Sequence, residues 1–309
     1  MLASKARSVN IAAGRRRRLP NLTGYLLIAP AFFAIFAVLI YPLITAFDLS
    51  LHKVVLTDPA AGRPFAGLDN YLAVLAAPYF LNAIVNTLVW TLSNLAIQIV
   101  FGLALALLLN ASFPGRGLAR ALLLLPWVIP SVVAMLSWRW MYDAEFGIIN
   151  MLLMALHIIP AGVAWLGNVG TAMPAVILES IWKGTPFVMV MLLAALQAVP
   201  TEIYDAARVD GAGGWGVLRF VTLPLIMPTL TIAATLTTIF TFNNFNAIWL
   251  MTQGGPLRAT ETLTILVYDA GFRDFNLGRA SAIGVITFLI LLLFVVAFGR
   301  HYVKSQVEL

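Results

Sequence analysis

The chain has 309 residues, of which 61% are hydrophobic and only 10% are charged, and its net charge is +6. Soluble domains carry roughly 25% charged residues, so this composition excludes an ordinary soluble fold and predicts a membrane protein whose basic residues face lipid rather than nucleic acid. The absence of cysteine excludes disulfides and cysteine-ligated metals, and His52, His157 and His301 have no spacing that would hold a metal ion.

The first predicted element is a basic tail over residues 1–20, which ends in the run from Arg15 to Arg18. Such a run before an apolar segment is typical of a cytoplasmic anchor that faces anionic lipid. A twin-arginine export signal is the alternative. The apolar segment that follows is too long for such a signal, contains Pro30 and Pro42, and lacks a small-residue cleavage site, so we expect it to be retained.

Six segments poor in charge are long enough to cross a bilayer as helices. They lie in a domain predicted over residues 21–303, with a short tail at 304–309, and cover residues 25–47, 83–109, 121–140, 172–196, 225–250 and 280–299. A seventh candidate, residues 146–168, is interrupted by His157, Pro160 and Gly162, which leaves about ten apolar residues and favours an interfacial helix. The predicted fold is an all-α integral membrane protein.

The placement of basic residues supports six spans. With six, both termini lie on one side, and the segments on that side contain most of the Lys and Arg residues. Positive residues accumulate in loops that stay in the cytoplasm. We therefore expect a multi-pass protein of the plasma membrane with both termini in the cytoplasm.

The loop predicted over residues 200–224 has the pattern of a short helix ended by glycines. Pro200 and Glu202 favour a helix start, and Gly211 favours its end. A second helix is predicted to begin near Trp215, with Pro224 marking the return into the membrane.

The order of residues in this loop resembles the Glu-Ala-Ala loop of ABC importer permeases. Asp205-Ala206-Ala207 is followed by Gly211 at the family's spacing, and Asp205 replaces the usual Glu. The resemblance implies a type I ABC importer permease whose coupling helix docks in a cleft of an ATPase subunit. The residues that it assigns to this coupling are Asp205, Ala206, Ala207, Asp210, Gly211, Leu223 and Pro224.

The sequence contains no GxxxxGK[ST] phosphate-binding loop, so any ATPase is another polypeptide and this chain is not expected to be an enzyme. The resemblance implies two copies of an ATPase subunit that bind ATP and Mg, a second permease of different sequence, and an extracytoplasmic solute-binding protein. It also implies a bacterial inner membrane.

Thr237, Thr241 and Asn244 recur at i, i+4 and i+7, which predicts a polar stripe on one helix face. Hydrogen bonding between transmembrane helices is one interpretation of this stripe. The resemblance, closest to maltose, trehalose and glycerol-phosphate permeases, favours a sugar pathway instead. By the same resemblance, the fourth span contributes Ser180, Gly184 and Phe187 to the sugar site. Asn243 and Asn246 are expected to point elsewhere on the helix.

Glu179 and Lys183 are formal charges inside the fourth span, where charges are costly and usually functional. Their i, i+4 spacing allows an ion pair. Two interpretations stay open: a structural pair, or a pair that faces the pathway and binds polar substrate.

Three alternatives compete with a sugar importer. The same architecture carries non-sugar solutes such as glycerol phosphate or peptides. An ion-coupled secondary transporter usually has more spans and an internal repeat. A membrane enzyme requires clustered carboxylates or histidines at one membrane face, which the sequence lacks.

Overall fold

The computed structural model describes residues 22–307, so the predicted basic tail over 1–20 lies outside the described residues. The described residues divide into two compact units, one up to Thr45 and one from Ala46 onward. The first unit contains α1 (Leu22–Ile35), a π-helical turn (Phe36–Ile40) and the start of α2 (Tyr41–Ser50). The π turn lies just before Pro42, whose missing N–H interrupts the regular bonding of the helix.

The second unit is built from helices joined by loops of varied length. In chain order they are α3 (Asp69–Leu75), α4 (Pro78–Asn110), α5 (Arg116–Val128), α6 (Ser131–Met141), α7 (Ile148–Ala155), α8 (Val169–Ala198), α9 (Thr201–Val209), α10 (Gly214–Phe242), α11 (Phe245–Met251), α12 (Leu263–Tyr268) and α13 (Leu277–Val307). A π-helical turn (Asp269–Arg273) follows α12. Over residues 22–307 the only β-structure is two isolated bridges, which confirms the all-α prediction.

Five helical segments are long and apolar enough to cross a membrane: Tyr25–Ser50, α4, α8, α10 and the part of α13 over Leu277–Ala297. The bent pair α5 and α6 makes a sixth if it crosses as one span. The segment considered as a seventh contains only α7, whose eight residues extend about 12 Å at 1.5 Å per residue. That length is too short to cross the hydrocarbon core.

The third predicted span, residues 121–140, is not one continuous helix. Two helices, α5 and α6, meet there at 93°. Ile129 and Pro130 between them have extended backbone angles. The physical cause is Pro130, which cannot donate a backbone hydrogen bond and disfavours helical geometry in the residue before it.

The prediction of a fifth span over 225–250 was wrong at both ends. The helix begins at Gly214 and ends at Phe242, and α11 follows a break at Asn243 and Asn244. The second helix expected in the loop is therefore the start of the span itself. A π-helical turn (Leu218–Thr222) lies just before Pro224 and adapts the helix to that proline.

Two apolar clusters hold the long helices together at opposite ends. The cluster near α9 includes Leu109, Leu192 and Ile226, and the cluster at the other end includes Trp90 and Ile248. Within the cluster near α9 the helices α4 and α8 approach closely, as shown at Gly102, where an added Cβ would lie 2.6 Å from Val188 Cγ1. Close packing at small residues is typical of membrane helices. It leaves the middle of the unit for a cavity.

Candidate substrate cavity

A cavity of about 430 Å³ lies between the two apolar clusters. Its walls come from α4, α5, α6, α8, α10, α11 and the break before α11. The lining residues are Gln98, Trp127, Ser131, Met135, Glu179, Ser180, Lys183, Gly184, Phe187, Thr237, Phe240, Thr241, Asn244 and Asn246. Pockets for small molecules typically occupy about 300–1,000 Å³, so the cavity has the size of a ligand site.

The structure brings together all the side chains that the sequence predicted for substrate binding. The fourth span, α8, contributes Glu179, Ser180, Lys183, Gly184 and Phe187. Residues from the fifth predicted span, Thr237, Thr241 and Asn244, form part of the same wall. The predicted residues thus share one cavity, although two of their predicted arrangements need correction.

One wall of the cavity is aromatic. The Phe187 ring lies 6.2 Å from the Trp127 ring and 5.8 Å from the Phe240 ring, measured between centroids. The Phe187 and Phe240 rings meet edge to face, which leaves an aromatic surface toward the cavity. Such a surface packs well against the apolar C–H face of a ring-shaped ligand.

A buried amide forms part of the polar wall. Gln98 Nε2 on α4 donates to Asn94 Oδ1 at 3.0 Å and to the Ser180 carbonyl at 3.2 Å. A Cβ added to Gly184 would lie 2.5 Å from Gln98 Oε1. An alanine at position 184 would therefore force the Gln98 amide to shift from its place between α4 and α8.

The predicted stripe of Thr237, Thr241 and Asn244 is not a single helix face, and that prediction was wrong. Thr237 and Thr241 lie on α10, but Asn244 lies beyond its end and caps α11, with Oδ1 accepting from the Ala247 N–H at 3.2 Å. The helix phase does not continue across this break. For the same reason the expectation for Asn246 was wrong, because it lines the cavity.

Asn243 does point away from the cavity. Its amide donates to the Ile239 carbonyl one turn earlier at 2.9 Å, and the residue is exposed. The neighbouring Trp90 on α4 fixes the end of α10, because its Nε1 donates to the Thr241 carbonyl at 2.8 Å.

Glu179 and Lys183 do not form the ion pair that their spacing allows. The Lys183 ammonium instead donates to the carbonyls of Pro126 at 3.2 Å and Ile129 at 2.7 Å, at the break between α5 and α6. The Glu179 side chain is fully buried, and among the described residues neither of its oxygens has a hydrogen-bond partner. The structural-pair interpretation is therefore wrong for this conformation.

Six lining residues were missed by sequence reasoning: Gln98, Trp127, Ser131, Met135, Phe240 and Asn246. Gln98 gave a signal, because it is an amide inside a long apolar segment. Trp127 and Ser131 flank Pro130 and reach the cavity only because the chain bends there. Met135 gave no signal that separates it from an ordinary packing residue.

The predicted coupling loop is an exposed element at one end of the unit. Asp205, Ala206, Asp210 and Gly211 are exposed, and Gly211 has φ +80°, which glycine adopts without strain. Asp205 pairs with Arg208 in the same helix at 3.1 Å.

Three of the residues assigned to coupling are less exposed or lie elsewhere. Ala207 is half-buried on α9. Leu223 and Pro224 lie within α10, where Leu223 packs against the apolar cluster near α9. The coupling assignment for these last two residues therefore does not fit the exposed tip of the loop.

Comparison with known proteins places this fold and cavity in a family. Residues 98–307 match the family described as the inner membrane component of binding-protein-dependent transport systems. The chain belongs to this family. It is thus an inner-membrane transport component with several apolar helices, and the resemblance to ABC importer permeases is confirmed.

Among its relatives are two permeases named for sugars. The chain is 36% identical to the trehalose/maltose transport system permease protein MalF of Thermococcus litoralis, over 89% of this chain and 92% of that protein. It is also 36% identical to the trehalose transport system permease protein SugA of Mycobacterium tuberculosis, over 89% of this chain and 88% of that protein.

The fold itself matches a solved importer. A chain of a bacterial ABC transporter involved in the import of the acidic polysaccharide alginate aligns with a TM-score of 0.79 and 22% identity. The alignment covers 92% of this chain and 96% of that chain. At this identity the match shows the permease fold alone.

Proposed function

We propose that this chain is the transmembrane permease subunit of an ATP-driven sugar importer. It receives a sugar from an extracytoplasmic solute-binding protein and releases it into the cytoplasm by alternating access. The family supports transport with a binding protein, and the relatives named for trehalose and maltose support a sugar as the solute.

The observation that carries the proposal is the composition of the cavity. Trp127, Phe187 and Phe240 offer aromatic surface to the C–H face of a sugar ring. Across the same space, Thr241 and Asn244 offer groups that bond hydroxyls. A sugar presents both kinds of surface at once, so it fits this lining better than a purely apolar or strongly anionic solute.

We expect α9 to transmit the movement of the ATPase subunits to the cavity. This helix begins three residues after α8 ends, and a glycine-rich link joins it to α10. Both α8 and α10 line the cavity. If α9 docks on an ATPase subunit, movement of the docked helix reaches both cavity walls directly, as alternating access requires.

The remaining parts of the complex are other chains. We expect two copies of an ATPase subunit to bind ATP and Mg, because this sequence has no phosphate-binding loop. The second permease is a different chain. The placement of basic residues supports a cytoplasmic position for both termini and for the α9 end.

The test is ATPase activity of the reconstituted complex with its binding protein. The panel comprises trehalose, maltose, monosaccharides, glycerol phosphate and short peptides. We expect a neutral mono- or disaccharide to stimulate hydrolysis. Stimulation only by glycerol phosphate or peptide would support an ATP-driven importer but contradict a sugar as its solute. Uptake driven by sodium or protons without ATP would contradict the ATP-driven importer.

A further inference from the structure

Pro130 leaves two backbone carbonyls without their usual donors in the middle of the third span. In a continuous helix the Pro126 carbonyl accepts from the N–H of residue 130, but a proline has none. Ile129 lies between the two helices, and the bond that opens α6 runs from Ala134 N to the Pro130 carbonyl. Unpaired carbonyls are costly in a membrane, where water is absent.

Lys183 supplies a hydrogen-bond donor in place of the N–H that Pro130 lacks. Its ammonium reaches across from α8 and donates to both carbonyls, at 3.2 Å for Pro126 and 2.7 Å for Ile129. A charged donor forms stronger hydrogen bonds than a neutral one. The break in the third span is therefore stabilised by the side chain of Lys183, more than fifty residues away in the sequence.

Glu179 is the second possible partner for this ammonium. It lies one turn before Lys183 on α8, which is the spacing at which Glu and Lys side chains meet. Its carboxyl group is fully buried, and in the described residues no donor reaches either oxygen. A buried carboxyl without a donor is costly, so Glu179 would gain from an ammonium group that left the two carbonyls.

The position of the break links this ammonium to the cavity. Trp127 and Ser131 on either side of the break line the cavity, as do Met135 on α6 and Lys183 itself. A change in the angle between α5 and α6 therefore reshapes one cavity wall. Such a change would pull the two carbonyls away from Lys183.

We propose that Lys183 stabilises the break in the third span in one conformation and releases it in another. Its ammonium holds the break between α5 and α6 in this conformation and transfers to the Glu179 carboxylate when the angle of the break changes during transport. Lys183 is thus a positioning residue. The inference rests on the proposed alternating access, but it does not depend on which solute is carried.

The test measures the distance between α6 and α8 in two nucleotide states, because α6 moves relative to α8 when the angle of the break changes. Because the chain has no cysteine, spin labels can be placed at Val132→Cys on α6 and Leu178→Cys on α8, two exposed positions. The distance between the labels is measured in the assembled complex without nucleotide and with ATP trapped by vanadate. We expect two different distances when Lys183 and Glu179 are intact.

The two substitutions should affect different states. Lys183→Met should broaden the distance distribution without nucleotide, because the two carbonyls at the break lose their hydrogen-bond donor. Glu179→Gln should leave that distribution unchanged and abolish the shift that ATP produces. Equal distances in the two states of the intact chain, or the same effect of both substitutions, would overturn the proposal. If the shift persists but no sugar stimulates the ATPase, the proposal of a sugar as the solute fails and the proposed role of Lys183 stands.

A second variant covers the case in which Lys183→Met does not assemble. Pro130→Ala restores an N–H that can bond the Pro126 carbonyl. We therefore expect Lys183→Met to lose much less assembled complex in the Pro130→Ala background than in the original chain. An equal loss in both backgrounds would show that Lys183 does not act through the break.

Discussion

At the scale of single residues, a substitution at Thr241 distinguishes a role in substrate contact from a role in helix packing. The residue lines the cavity, whereas its backbone carbonyl accepts the bond from Trp90 and survives substitution of the side chain. We expect Thr241→Val to lower the rate of sugar uptake in proteoliposomes while the complex assembles normally.

Thr238→Val is the matched control for Thr241→Val. Thr238 lies on the same helix and is buried, but its hydroxyl donates to the Ala234 carbonyl and it does not line the cavity. Uptake should be unchanged in this variant. If the two variants lose uptake equally, or if Thr241→Val prevents assembly, the polar stripe serves packing. Asn244 is less suitable for this test, because removing its cap on α11 costs about 1 kcal/mol by itself.

Gly184 tests the contact between α4 and α8. An added Cβ would overlap the Gln98 side chain, which is held by two hydrogen bonds. We expect Gly184→Ala to destabilise the chain by about 1–3 kcal/mol and to lower uptake. The midpoint of thermal unfolding measures the first effect.

Gly284→Ala on α13 is the control for Gly184→Ala, since nothing lies within 4 Å of its added Cβ. Alanine favours a helix over glycine, so this variant should unfold at the same temperature as the original chain or higher. Equal stability of the two variants would contradict the close fit at Gly184.

Residue types on a single helix were predictable, and contacts between helices were not. Ser180, Gly184 and Phe187 could be assigned from the local resemblance in the fourth span. The partners of Lys183 lie 54 and 57 residues away, on carbonyls that any residue type carries. The spacing of Glu179 and Lys183 therefore suggested a pair, while tertiary structure gave the ammonium other acceptors.

At the scale of elements, α9 is the part that the proposed mechanism depends on most. Asp205 and Arg208 are about 70% exposed, and an exposed ion pair contributes only about 0–1 kcal/mol to stability. We therefore expect Asp205→Lys to leave the permease folded and to reduce the amount of ATPase subunit that co-purifies with it.

Arg208→Ala provides the comparison for Asp205→Lys. It removes the partner within the helix and leaves the Asp205 carboxylate free to bind the ATPase subunit. Co-purification should persist in this variant. Unchanged co-purification with Asp205→Lys would contradict the coupling role of the loop.

Hydropathy located the membrane helices but not their breaks. The charge-free run that contains Pro126 and Pro130 is long enough to span, and length alone favoured one straight helix. Membrane helices tolerate proline when a neighbour satisfies the freed carbonyls, so the outcome depended on Lys183 in another helix. The break at Asn243 and Asn244 was likewise hidden by an uncharged sequence.

At the scale of the whole molecule, the cavity lies between two apolar clusters of the second unit. One cluster lies near α9, and the other surrounds Trp90 and Ile248. We expect transport to separate one cluster while the other stays packed. This arrangement fits a transport pathway, because alternating access opens a central site to one side at a time.

The central claim is that sugar occupies this cavity, and Asn246 and Asn243 test it as a pair. Both are exposed asparagines beside the same break, but only Asn246 lines the cavity. In the cysteine-free chain each can be replaced singly by cysteine and labelled with a thiol reagent in the assembled complex. The measurement is the labelling rate with and without the transported sugar. We expect sugar to slow labelling at Asn246→Cys and to leave labelling at Asn243→Cys unchanged. Equal rates with and without sugar at Asn246→Cys, or equal protection at both positions, would contradict this claim.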